Sequence, residues 1–155
     1  MAPASSHGMA SMPPDARPRA RVTAASPLPR TSETRAGDVI FVSTDGHILE
    51  GPRSTVVIAV ASDDGRTCLL TPPPWYPILR GTTQQALFEV ARNKGYDCDY
   101  QALTPADLTA AQGVWLVSSI TLAARVHTLD GAPLARTPVV DEFAALVDAA
   151  ILCDR

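Results

Sequence analysis

The sequence predicts a mixed α/β domain, richer in strands than in helices, over residues 37–155. Two observations carry that expectation. Short β-branched and aromatic runs are separated by Asp-Gly and Gly-Pro turn pairs, the pattern of hairpin-connected strands. Two other segments repeat apolar residues every three or four positions, as a helix buried on one side does. Residues 1–36 show neither period.

The elements follow in order. Residues 38–44 (DVIFVST) form a strand closed by the turn pair Asp45-Gly46, and 47–50 (HILE) return as the second arm of a hairpin. After Gly51-Pro52, residues 54–60 (STVVIAV) make another strand, which turns at 63–65 (DDG) into 67–71 (TCLLT). Pro72-Pro73-Pro74 cannot donate to a ladder, so the chain leaves the sheet there. Gly81-Thr82-Thr83 opens the first helix, with Thr82 and Gln85 at capping-box spacing and Ala86, Leu87, Val90 and Ala91 as its apolar face. Lys94-Gly95 closes it with a cation and a C-cap glycine. Thr104-Pro105 with Asp107 starts a short second helix that ends near Gly113. Residues 114–120 (VWLVSSI) read as a buried strand and 125–129 (RVHTL) as its neighbour, before the turn at Asp130-Gly131. A last helix runs from about 140 to 152, with Phe143, Leu146, Val147, Ala150 and Ile151 inward.

Composition narrows the function classes. A net charge of −3 gives no basis for nucleic acid or an anionic membrane as partner. No apolar run approaches the ~18–20 residues that span a bilayer. Cys68, Cys98 and Cys153 are odd in number and widely spaced, which suits a reducing compartment and no disulfide framework or zinc site. A cytoplasmic domain is the expectation. Residues 1–36 are rich in Pro, Ala, Ser and Arg and read as a disordered segment, because they offer too little apolar surface to offset the entropy of ordering.

Three places could carry chemistry. Gly81-Thr82-Thr83 sits at a helix N-terminus, where free N–H groups and the positive dipole end accept anions; a plain capping box is the competing reading. Ser118-Ser119, at the exit of an apolar strand, is either a second anion-binding arm or the polar start of a loop. Glu50 closes a hairpin and by default is a solvated carboxylate. His47 and His127 lie far apart with no metal-ligand spacing, and no metal is expected.

Taken together, DGHILEG, LLTPP…ILRGTTQQALFEVARNKG, LTPADLTAAQGVWLVSS and the closing LDG resemble, in order and spacing, the C-terminal domain of the class IV pyridoxal-5'-phosphate (PLP) enzymes. These are the branched-chain and D-amino-acid aminotransferases and 4-amino-4-deoxychorismate lyase. The resemblance covers about 37–152, the second half of a complete family member. It implies the D-amino-acid-aminotransferase-like fold, PLP as cofactor, a small amino-acid-like substrate and a homodimer. It further implies that Glu50 pairs with the pyridine nitrogen, that Gly81, Thr82 and Thr83 form the phosphate turn, and that Ser118 and Ser119 close the phosphate cup.

The departures matter as much. Arg80 and Arg125 stand where many relatives have proline, and either could seat a dicarboxylic substrate, since arginine matches carboxylates in geometry and charge. Thr55 replaces a common asparagine. The family's Schiff-base lysine belongs well upstream of the DG…EG motif, where this chain has none; its one lysine, Lys94, ends a helix. The expectation is an aminodeoxychorismate lyase-like enzyme in a truncated form that is inactive alone, with poor solubility from uncovered apolar surface. A branched-chain or D-amino-acid aminotransferase, or a remnant that only binds the PLP phosphate or a partner subunit, are the alternatives.

Overall fold

The computed structural model describes residues 20–25 and 38–153. Among them the chain runs β1 (Ala20–Ala25), β2 (Asp38–Val42), β3 (Thr55–Ala61), β4 (Thr67–Thr71), α1 (Thr82–Asn93), β5 (Asp97–Tyr100), α2 (Pro105–Ala110), β6 (Gly113–Ser118), β7 (Leu122–Arg125), β8 (Thr128–Leu129), β9 (Ala132–Pro133) and α3 (Val139–Cys153). One sheet has the order β5-β4-β3-β6-β7 and the other β2-β1-β8-β9. In the larger sheet only β4 and β5 pair in parallel, and α1 is the crossover that parallel pairing needs.

Side-chain alternation places the core. Along β3, Val56 and Ile58 face one way, packing with Ile40, Leu103, Val114 and Leu116. Val57 and Ala59 face the other way and meet Leu87, Phe88, Trp115 and Phe143 from α1, β6 and α3. The central strands are therefore buried on both faces, which is why they read as unbroken apolar runs rather than alternating ones. Trp115 and Phe143 stack with ring centroids 3.9 Å apart.

The structure corrects several expectations. Residues 20–25, within the segment expected to lack order, form β1 and pair along Ala20–Ala24 with β2 and at Ala24–Ala25 with β8. A central position supplies partners for both edges of this strand's backbone, which a Pro- and Ala-rich composition does not disclose. The rest of the 1–36 expectation lies outside the described residues. α1 has no capping box: its N-cap is Gly81, with no side-chain cap hydrogen bond. The box at Thr104 and Asp107 is present, with Thr104 N–H donating to Asp107 Oδ2 at 2.7 Å. Residues 125–129 divide between the sheets, since Arg125 ends β7 while Thr128–Leu129 pairs with β1. Strand β5 (DCDY) was not legible, because two aspartates sit on an edge strand whose side chains are mostly solvated.

Apolar side chains do remain uncovered. Trp75, Leu79, Ile120 and Leu152 are exposed, Leu79 most of all at 81%. No helix among the described residues is long and apolar enough to cross a membrane.

Candidate functional site

The pairing of β3 with β6, and the packing of α1 against β6, bring three distant pieces of chain to one place. There the loop after β2 (Glu50 to Ser54), the start of α1 and the end of β6 enclose a cleft of about 250 Å3. Glu50, Arg80, Gly81, Thr82, Thr83, Ser118 and Ser119 all line it. Positions separated by more than sixty residues in sequence thus face the same space.

At one end of the cleft, α1 presents its N-terminus. Gln85 N–H bonds Gly81 O at 3.0 Å, the first helical bond, so the amides of Thr82, Thr83 and Gln84 have no carbonyl inside the helix. The Thr82 and Thr83 hydroxyls take no part in capping. A Cβ at Gly81 would collide with Thr55 Oγ1, so a larger residue there would push the turn and the sheet apart. Free amides, hydroxyls and a close-approach glycine are the donor set an anion such as phosphate needs.

Glu50 stands elsewhere on the cleft wall. Its Oε2 accepts the Leu79 N–H at 3.1 Å. Partial burial pushes its carboxyl up from the ordinary value, and the Leu79 N–H opposes that shift. A carboxylate so held can face a protonated ring nitrogen. Ser118 has a second engagement: its Oγ accepts Thr121 N–H at 3.1 Å and lies 2.8 Å from Thr121 Oγ1, which ties the β6–β7 turn. Its neighbour Ser119 makes no such turn bond to Thr121.

The two candidate arginines separate. Arg80 is exposed and lines the cleft. Arg125 does not, because antiparallel register sets Leu122 opposite Ser118 and Arg125 opposite Trp115, roughly 10 Å along the strand from the cleft end. Its guanidinium is engaged with Ala135 O at 3.1 Å. Several cleft residues escaped the sequence reading of the site, Thr55 and Arg53 among them. Thr55 appeared there only as a departure from the family, and Arg53 not at all. Lys94 is the C-cap of α1, about 20 Å along the helix from Gly81. His47 stacks on Tyr76 near the β2 hairpin turn, and His127 lies beside Arg125.

A second cavity of about 330 Å3 continues behind the turn, between α1, α3 and the end of β6. Its walls are mainly Ala86, Leu87, Val117, Leu122, Val147 and Ile151, and it holds no titratable side chain. Thr82, Thr83 and Ser119 line both spaces, while Glu50, Arg53, Arg80 and Ser118 line only the smaller cleft.

Comparison with known proteins follows the same lines. The family described as amino-transferase class IV matches residues 9–129. The chain belongs to the class IV aminotransferases. The match starts upstream of residue 37, where the sequence motifs alone begin. This class IV chain is 76% identical over 122 residues to a Mycobacterium tuberculosis protein named bifunctional aminodeoxychorismate lyase / D-amino acid transaminase, covering 77% of this chain and 42% of that protein. A hypothetical aminotransferase from the same organism, in its PLP-bound form, superposes with a TM-score of 0.73 at 77% identity, over 77% of this chain and 41% of that one. A fold IV transaminase from Curtobacterium pusillum follows with a TM-score of 0.62 at 37% identity, over 76% of this chain and 38% of its own. The class IV chain described here thus spans about two fifths of the length of these relatives.

Proposed function

We propose that this chain is the cofactor-holding part of an aminodeoxychorismate lyase-like enzyme, which converts 4-amino-4-deoxychorismate to p-aminobenzoate and pyruvate. The observation that carries the reading is the cleft shared by Glu50, Gly81–Thr83 and Ser118–Ser119. The cleft fits PLP by its donor set: uncapped amides and two hydroxyls at one point, and a carboxylate that burial keeps partly protonation-prone at another.

Bound there, PLP would supply an electron sink for the carbon adjacent to the substrate amine. The chain's own residues do the rest. The amides and hydroxyls of Thr82 and Thr83, with Ser119 opposite, hold the phosphate. Glu50 holds a proton on the pyridine nitrogen, and its bond to Leu79 orients it. Arg80 seats a substrate carboxylate at the cleft mouth. We further infer that the chain by itself lacks the amine that fixes the cofactor covalently, since its one lysine is a helix length away, and that it binds PLP without turnover. A cytoplasmic homodimer is the proposed setting.

The relative's name also favours a second reading, D-amino acid transamination in the same cleft. Pyruvate release without an added 2-oxo acid acceptor separates the lyase from the transaminase, and it is measured on a full-length relative. For this chain, PLP should bind reversibly and leave on dialysis, and borohydride treatment should leave Lys94 unmodified by mass spectrometry. Stoichiometric borohydride-fixed PLP would overturn the absence of an anchoring amine. Failure to bind PLP at all would overturn the cleft assignment.

A further inference from the structure

Gln84, in the first turn of α1, is only 3% exposed, yet its Nε2 has no hydrogen-bond partner within the protein. Buried amides are as a rule satisfied, by protein or by an ordered water. Gln84 lines a partly open pocket of about 10 Å3 together with Thr55, Thr71, Leu79, Arg80 and Gly81. That is about the smallest space that admits a single water. The pocket adjoins the cleft, since Thr55, Leu79, Arg80 and Gly81 line both. Thr71 Oγ1 donates to Val56 O at 2.7 Å, which leaves its lone pairs free to accept.

We propose that Gln84 is a positioning residue for the phosphate turn, its carboxamide holding one ordered water against Thr71 and Thr55. The inference rests on reading the cleft as a phosphate cup. The water braces the contact between Thr55 and Gly81 from behind. A Cβ at Gly81 would strike Thr55 Oγ1 and come within 3.4 Å of Gln84 Cβ, so these three residues have little slack between them. Loosening Gln84 therefore shifts the turn whose amides meet the anion. Gln84 touches no reacting atom; it acts through Gly81.

The test compares PLP with pyridoxal, which lacks the phosphate, on the full chain and on Gln84→Met, which keeps the length of the side chain but loses the amide. Equilibrium affinities for both are measured by fluorescence titration. The wild-type chain is expected to prefer PLP, and Q84M to lose about fivefold of that preference while its pyridoxal affinity stays unchanged. Unchanged pyridoxal binding also reports that the variant is folded. A ligand-free crystal structure is expected to show one water within hydrogen-bond reach of Gln84 Nε2. A preference that survives Q84M intact, or a crystal structure with the amide bonded only to protein, overturns this inference alone. A wild-type chain that binds the two compounds equally overturns the phosphate-cup reading and this role with it.

Discussion

Glu50 Oε2 and Leu79 N–H, twenty-nine positions apart, meet at 3.1 Å. This bond ties the carboxylate proposed to face the cofactor ring to the segment that leads into α1. Anything that moves one end of the cleft therefore pulls on the other. Glu50→Gln keeps an acceptor for Leu79 but removes the charge, whereas Glu50→Ala removes both. PLP affinity is expected to fall about tenfold in E50Q and further in E50A, the scale of a lost charge-assisted hydrogen bond. Wild-type affinity in E50A, by fluorescence titration, would end the assignment of Glu50 to the ring.

Gly81 is required for space rather than for backbone angle, since its φ of −75° suits any residue. Gly81→Ala should destabilise the fold by about 1–3 kcal/mol through the clash with Thr55 Oγ1. Adding Thr55→Ala removes the obstructing hydroxyl and should recover part of that loss. Urea denaturation of the single and double variants measures both, and a G81A protein as stable as wild type would refute the contact.

Trp115 on β6 and Phe143 on α3, stacked at 3.9 Å and 14°, join the larger sheet to the last helix. Phe143→Ala is expected to cost about 3–5 kcal/mol, because Phe143 is 1% exposed and leaves a cavity. A double-mutant cycle with Trp115→Leu should show a coupling of about 0.5–1.5 kcal/mol beyond simple burial. Additive losses would mean that the two rings do not interact.

The β3–β4 turn carries a pH signature. The Ser62 hydroxyl, the Arg66 N–H at 3.1 Å and the Arg66 guanidinium at 2.7 Å hold the Asp64 carboxyl well below the usual carboxylate range. A depressed folded-state value stabilises the fold above the unfolded value of about 3.9, and that contribution is lost as pH falls below it. The difference in melting temperature between wild type and Asp64→Asn should be constant from about pH 5 to 8 and shrink below about pH 4. A difference that grows on acidification would reverse the sign assigned to Asp64.

Much of the fold was legible in the residues. Asp45-Gly46 and Asp63-Asp64-Gly65 mark turns that the structure has, with Gly46 and Gly65 at positive φ. The buried strands β3 and β6 stood out because burial on both faces demands apolar residues at every position. The start of α1 was visible as a glycine and two threonines before a helix. β1 and β5 were not, because a Pro- and Ala-rich stretch masks the first and two aspartates on an edge strand mask the second.

The sequence by itself determined the local pieces and the family: which segments extend, which coil, where each must turn, and the order of the motifs. Tertiary structure alone decided that positions 50, 81–83 and 118–119 line one cleft while Arg125 lies further along β7, outside it. It also brought in Thr55 and Arg53, and left the amide of Gln84 without a protein partner. The reason is that local propensity acts over a turn or two of chain, whereas a site is set by the register of strands that pair across dozens of residues.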